Sequence, residues 1–159
     1  MPVRARHIMS GIRLRAGGLL DLEALTALET TVFSHDRISR RSFRGFLTSL
    51  NADLVVAEHA GALAGYALVL RRPNTTVSRL YSIAVAPANA GRGLGSMLLG
   101  AAERAALRRG SAVLRLEVHA HNTAAIAWYR RSGYVIFDRH IAYYGDRGDA
   151  LRLQKPLAT

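Results

Sequence analysis

Between Ile83 and Gly100 the chain reads IAVAPANAGRGLGSMLLG: an apolar strand end runs through Pro87 into glycines Gly91, Gly93 and Gly95, and a helix opens at Ser96. Strand, glycine turn and helix N-terminus in that order can cradle an anion, because successive backbone N–H groups converge on it and the helix dipole adds to them. Glycine serves where the chain takes φ > 0 and passes close to a ligand. No Gly-Lys-Ser/Thr follows, which excludes a P-loop, and GxGxG without an acidic ribose partner is not a dinucleotide fingerprint. A plain turn is the other use of such a cluster. Downstream, Leu116 to Tyr134 reads LEVHAHNTAAIAWYRRSGY, which gathers a carboxylate (Glu117), two imidazoles (His119, His121), an amide (Asn122) and a phenol (Tyr129). Asn122 stands where a helix begins and reads as its N-cap. Tyr129 follows seven residues later, two turns along the same face; a buried tyrosine there can also satisfy itself within a core. His119 and His121 share one strand face, as a second base or a metal pair would. With no carboxylate at ligand spacing, surface or satisfied histidines are the alternative, and no metal is expected.

The elements that must position these groups are legible in outline. Residues 1–10 read as a flexible N-terminal segment, and Ile12–Arg15 as a first strand ended by Gly17-Gly18. Asp21 can cap a helix through about Thr31, with Leu22, Leu25, Ala27 and Leu28 as its apolar stripe. A second helix, Ser39 to Leu50, places Phe43, Phe46, Leu47 and Leu50 at helical spacing, as core. Arg37, Arg40, Arg41 and Arg44 fall on one flank, a solvated face or a basic acceptor surface. Strands Asp53–His59 and Ala62–Arg71 flank Ala60-Gly61, a hairpin signal, and Val77–Val85 follows the Pro73-Asn74 break. The helix from Ser96 stops at Gly110. Ser111–Val118 alternates as a strand, with Glu117 on the face away from Leu114 and Leu116; an ion pair with Arg115 or another arginine is its plainest use. Asn122 to Arg131 is a helix closed by Gly133, and strands Tyr134–Arg139 and Asp149–Lys155 flank a turn at Tyr143-Tyr144-Gly145.

Composition bounds the classes. The 159 residues, half of them hydrophobic, suit one globular domain. No apolar run reaches the length of a membrane span, and MPVRARHIMSGIRLR lacks the apolar core of a signal peptide, so a cytoplasmic protein without membrane partners is expected. The chain has no cysteine, which excludes disulfides and a thiol nucleophile. The net charge of +11 rests on 22 basic residues, of which only Lys155 is lysine. That bias fits GC-rich coding as well as an anionic ligand. No base-stacking aromatics interleave with the arginines, so no direct nucleic-acid binding is expected.

Together the two segments resemble the GCN5-related N-acetyltransferase (GNAT) superfamily, over nearly the whole chain from Ile12 to Leu153. The resemblance implies a single α/β (α+β) domain over 1–159 with the GNAT fold. Its mixed, mostly antiparallel central sheet would have about seven strands, flanked by about four helices. It implies acetyl-CoA as co-substrate. The family's pyrophosphate loop falls on Gly91, Arg92, Gly93, Leu94, Gly95 and Ser96. The pantetheine arm would lie along the backbone of Ile83, Ala84 and Val85, on an edge left free where the strand from Ser111 splays away; that backbone also polarises the thioester carbonyl. The family pattern begins with Gln or Arg, and here that position is Ala90; Arg92 can compensate, so weaker cofactor binding is expected. Asn122 would hydrogen-bond the cofactor while capping its helix. In the match AAIxxY, Tyr129 becomes the proton donor to the departing thiolate, a task that suits a phenol with pKa near 10.

A narrower resemblance, to the bacterial ribosomal-protein-alanine N-acetyltransferases (RimI-type), is carried by Leu116-Glu117-Val118, by Tyr143-Tyr144 with Gly145-Asp146, and by Asp149-Ala150-Leu151. It implies Glu117 as general base, acting through water, and Tyr143 and Tyr144 as a wall of the groove that receives a protein N-terminus. His119 replaces the usual arginine, His121 a small polar residue, and Trp128 a small aliphatic that reads as core. An α-amino acceptor also suits a weak base. Near pH 7.4 about a quarter of such groups are neutral, against ~0.1% of lysine side chains. The expected partners are therefore acetyl-CoA and an amine, foremost a protein N-terminus, met in a groove between Phe33 to Arg44 and the tyrosine turn. A small amine (polyamine, amino acid or antibiotic) or a non-catalytic acyl-CoA-binding role are the alternatives, in a monomer or homodimer.

Overall fold

A computed structural model describes residues 8–9, 11–145 and 148–158. Eight strands form one sheet in the order β1-β2-β3-β4-β5-β6-β8-β7. They are β1 (Ile8–Met9), β2 (Ile12–Ala16), β3 (Ala52–His59), β4 (Ala62–Arg71), β5 (Val77–Val85), β6 (Val113–His119), β7 (Val135–His140) and β8 (Ala150–Pro156). Four α-helices pack on the sheet: α1 (Leu22–Val32), α2 (Arg40–Thr48), α3 (Leu94–Arg108) and α4 (Thr123–Arg131). Every neighbouring pair is antiparallel except β5–β6. The mixed, mostly antiparallel sheet and four helices are those expected. The strand beyond seven is β1, within the stretch expected to be flexible: Ile8 and Met9 pair with Arg13 and Ile12 around Gly11. Residues 1–7 and 10 lie outside the described residues, as does Asp146.

Strand alternation divides the core into two layers. Leu54 and Val56 of β3, with Tyr66 and Leu68 of β4, bury α1 and α2 through Leu22, Leu25, Leu28 and Phe43. Ala57, Ala67 and Val69 face the other way, onto Leu94, Leu98, Leu99, Ala102 and Ala106 of α3. The small residues let α3 lie close to the sheet. Closest of all is Gly65, where a Cβ would come 2.7 Å from the Ala84 carbonyl and 2.9 Å from Leu98. Turn chemistry fixes the registers. Ala60 and Gly61 both take positive φ, as the tight β3–β4 hairpin requires. Gly110 closes α3 at φ 89 while Ser111 N–H reaches back to the Ala106 carbonyl, a Schellman stop.

Four expectations fail locally. Arg37 lies ahead of α2 and turns back to cap α1, donating to the Thr30 and Phe33 carbonyls, so the four arginines do not share a helical flank. Leu50 falls beyond the end of α2 and is 83% exposed, not core. The third helix opens at Leu94 rather than Ser96, because Gly93 at φ 75 already serves as its N-cap. Asn122 caps its helix as anticipated, accepting from Ala125 N–H, and Ser39 caps α2 in the same way, accepting from Ser42 N–H. Asp21 instead accepts from Gly18 N–H, ahead of α1, and pairs with Arg15.

Candidate active site

β5 and β6 run together for three residue pairs only, Val77–Val113, Ser78–Leu114 and Arg79–Arg115. Beyond them β5 stays paired with β4, while β6 pairs with β8 alone. The parting point carries a bulge: Leu68 pairs with Ser82 and Val69 with Leu80, so Tyr81 is the extra residue. Among the described residues, the second edge of β5 at Ile83, Ala84 and Val85 is thus free of a partner strand, as expected from the splaying. A cavity of about 910 Å³ fills the gap. Arg79 to Ile83, Leu116 to His119, Asn122, Trp128, Tyr129, Tyr143 and Tyr144 line it, and across from them Glu29 and the segment from Phe33 to Asp36.

At one end of the free edge, a 3-10 turn (Pro87–Asn89) leads through Ala90 into Gly91 and Gly93, both at positive φ. No side chain caps α3, and its first backbone bond runs from Met97 N–H to the Gly93 carbonyl. The N–H groups of Leu94, Gly95 and Ser96 are therefore spared by the helix, which is the donor set that a phosphate needs. A Cβ at Gly91 or Gly93 would meet nothing within 4 Å, so backbone conformation, not space, demands glycine there. Arg92 is exposed, with no ion pair among the described residues. Gly95 instead touches Trp128, where a Cβ would lie 3.4 Å from the indole. Trp128 is thus half-buried, packed against the core as read from sequence while also lining the cavity beside the turn.

Tyr129 is the buried residue of α4, 8% exposed, and packs against Trp128 and, edge-on, Tyr134. Its hydroxyl has no hydrogen bond among the described residues, and burial pushes its pKa up to about 12. It therefore stays protonated across the physiological range. Asn122, on the cavity wall, spends its side-chain oxygen on the cap, and its NH₂ donors take no part in that bond.

Glu117 faces the cavity from β6, with its side chain 9% exposed. It is held by Arg79, Nε to Oε2 at 2.8 Å, and by Arg152 of β8, Nε to Oε1 at 3.5 Å. Arg115, the partner named first from sequence, binds Gln154 and lies over Phe137 instead. The angle at Arg79 leaves its buried Nε–H without a hydrogen bond. Burial works against that guanidinium's charge, yet Glu117 and then Tyr143 hold its pKa above the ordinary value. Arg79 also donates to the Tyr143 hydroxyl, which ties the tyrosine turn to the parting point. Tyr144 stacks on His119 at 5.1 Å, its pKa raised by burial first and then by Tyr143 and Glu117. His119 in turn accepts at Nδ1 from His121 N–H. Among the described residues no group of three or more His, Cys, Asp or Glu could hold a metal ion. The arginine clamp, Ser82, Glu29 and Tyr81 went unnamed from sequence, since only tertiary pairing sets them in the cavity.

Similarity to known proteins extends over most of the chain. The N-alpha-acetyltransferase RimI of Mycobacterium tuberculosis is 33% identical over 139 residues, 85% of this chain and 86% of that protein. A mycothiol acetyltransferase of Jonesia denitrificans is 27% identical over 81% of this chain; the chain spans 44% of that protein, less than half its length. Among solved structures, the ribosomal-protein-S18-alanine N-acetyltransferase of Escherichia coli superposes with a TM-score of 0.83 at 27% identity, over 93% of this chain and 95% of that one. The acetyltransferase (GNAT) family matches residues 21–134, and it is to this family that the chain belongs.

Proposed function

We propose that the chain transfers acetyl from acetyl-CoA to an α-amino group, foremost a protein N-terminus. The observation that carries this reading is the convergence, at one parting of the sheet, of an uncapped helix N-terminus, a free strand edge, a protonated phenol and a buried carboxylate. When bound, acetyl-CoA supplies an acyl group activated as a thioester. The amides of Leu94, Gly95 and Ser96, with Arg92, hold its diphosphate. Ile83, Ala84 and Val85 align the extended arm through main-chain bonds and Asn122 adds a side-chain donor. Glu117, on the cavity wall between Arg79 and Arg152, takes the acceptor's proton directly or through water. Tyr129 protonates the sulfur as it leaves. Tyr143 and Tyr144, braced by Arg79 and His119, wall the acceptor's path opposite residues 33–36.

RimI-type relatives favour the protein acceptor. The mycothiol acetyltransferases favour a second reading, a small-molecule amine in the same cavity. A free-thiol release assay separates them. Turnover confined to peptides with a free N-terminus is expected, whereas turnover on small amines alone would move the acceptor to that class. Tight acetyl-CoA binding with silence toward every amine would leave only a binding role.

A further inference from the structure

Glu117 is compensated by two guanidiniums. A second carboxylate on the cavity wall, Glu29 of α1, is 2% exposed and has no cationic partner among the described residues. Its Oε2 accepts from Ile38 N–H at 2.7 Å, and its Oε1 accepts from the Tyr66 hydroxyl at 2.5 Å. The Tyr66 oxygen is also 2.7 Å from Ser82 Oγ. Tyr66 has one proton and gives it to Glu29, so Ser82 must be the donor in the second contact. Ser82 itself lines the cavity, one residue before the free edge at Ile83, and as a donor to Tyr66 its Oγ keeps lone pairs with which to accept. Tyr66 itself is fully buried and edge-on to Phe43. Burial, then Glu29, raises its pKa well above the ordinary value, so it can pass a proton but not rest as a phenolate.

We infer that Ser82, Tyr66 and Glu29 form a second proton path for the acceptor ammonium, with Ser82 touching the amine and Glu29 as the terminal acceptor. The inference rests on the acetyl-transfer reading above. The amine nitrogen releases a proton to Ser82 Oγ, Ser82 passes its own to Tyr66 Oη, and Tyr66 passes its own to Glu29 Oε1. The nitrogen lone pair then forms the N–C bond and the C–S bond breaks; the sulfur takes a proton from Tyr129, the nitrogen's second proton passes to Glu117 to leave a neutral amide, and exchange with solvent restores Tyr129, Glu29 and Glu117. Charge favours this direction. The path carries a positive charge from a desolvated ammonium onto a buried anion, which lowers the charge separation inside the protein. The other titratable groups on the cavity wall are His35 and Asp36, Arg79 and Tyr81, Glu117 and His119, and Tyr129, Tyr143 and Tyr144. None of them bonds Glu29, and Arg37 at the end of α1 is bound to carbonyls.

The test is the pH dependence of kcat/KM for the acceptor, read by thiol release, in Ser82→Ala, Tyr66→Phe and Glu29→Gln. All three are expected to lose about 10²-fold near pH 6 and to recover toward pH 9, where an α-amine arrives neutral. KM for acetyl-CoA should hold, and Ser82→Thr, which keeps the hydroxyl, should restore the parent profile. Profiles that overlay the parent's, or fall by one constant factor at every pH, would overturn the path, the second outcome marking a structural role only. Ser82→Ala keeps the test decisive if Glu29→Gln does not fold. A parent inert toward peptides would overturn the α-amino reading alone, and the comparison is then run with the amine it does accept. A parent inert toward all amines overturns both.

Discussion

Arg79 and Glu117 meet at 2.8 Å where β5 and β6 part, and the same guanidinium reaches the Tyr143 hydroxyl. One cation therefore links the base proposed on β6, the strand that carries the free edge, and the turn that walls the acceptor. Glu117→Gln keeps the shape but removes the negative charge from between Arg79 and Arg152. We expect kcat/KM for an α-amine to fall by about 10²-fold, most strongly below neutral pH where the ammonium predominates. A pH–rate profile that overlays the parent's would relieve Glu117 of the role.

Tyr129→Phe should lower kcat by about 10²-fold while acetyl-CoA affinity, measured calorimetrically, stays the same. The pH dependence has a definite sign. Burial raises the phenol to about 12, so its active, protonated form persists well above neutrality. An alkaline loss of activity between about pH 8 and 10 should therefore be as evident in Tyr129→Phe as in the parent, because it reports another group.

Gly65→Ala places a Cβ 2.7 Å from the Ala84 carbonyl, which is backbone and cannot step aside. Overpacking of this kind costs about 1–3 kcal/mol, and here it pushes on the strand whose far edge is to receive the cofactor. The expected result is a lower denaturation midpoint together with a weaker acetyl-CoA Kd. A loss of stability with an unchanged Kd would show that β5 absorbs the shift without moving its free edge.

Arg15 binds both Asp21 and Glu58 beside the first turn of α1. Its guanidinium, followed by the Gly18 N–H, holds the Asp21 carboxyl below the usual range despite partial burial. A depressed carboxylate pKa contributes stability above the unfolded value of about 3.9 and loses it as pH falls through the folded one. Asp21→Asn should therefore cost about 1 kcal/mol at neutral pH and nothing at the acid end, so the two stability curves converge as pH falls below the unfolded value and through the folded one.

Local signals carried much of this architecture into the sequence. Ala62–Arg71 and Val77–Val85 were legible residue by residue, because apolar and β-branched runs end at glycine, proline or asparagine. The glycine turn, Asn122 and Tyr129 were legible because their spacing lies within one turn or one helix. Helix ends were less so, since Gly93 at φ 75 starts α3 two residues early. Pairings across the fold were not legible at all. Glu29 and Tyr66 are 37 residues apart and Arg79 and Tyr143 are 64 apart. Only the β4–β5 register and the packing of α1 bring them together. With 22 basic side chains to choose from, nothing local told which arginines would flank Glu117.

The short seam between β5 and β6 has a mechanical consequence. Only three residue pairs join a leaf of five strands, β1–β5, to a leaf of three, β6, β8 and β7, so few ladder bonds cross the middle of the sheet. An acyl-CoA arm lying on the free edge would act as a temporary ninth strand, filling the gap between the leaves. Ligand that binds only the folded chain raises its stability by about 2.7 kcal/mol at a hundred times Kd. The folded lifetime of this protein, and its resistance to proteases, would then rise and fall with the supply of its own co-substrate.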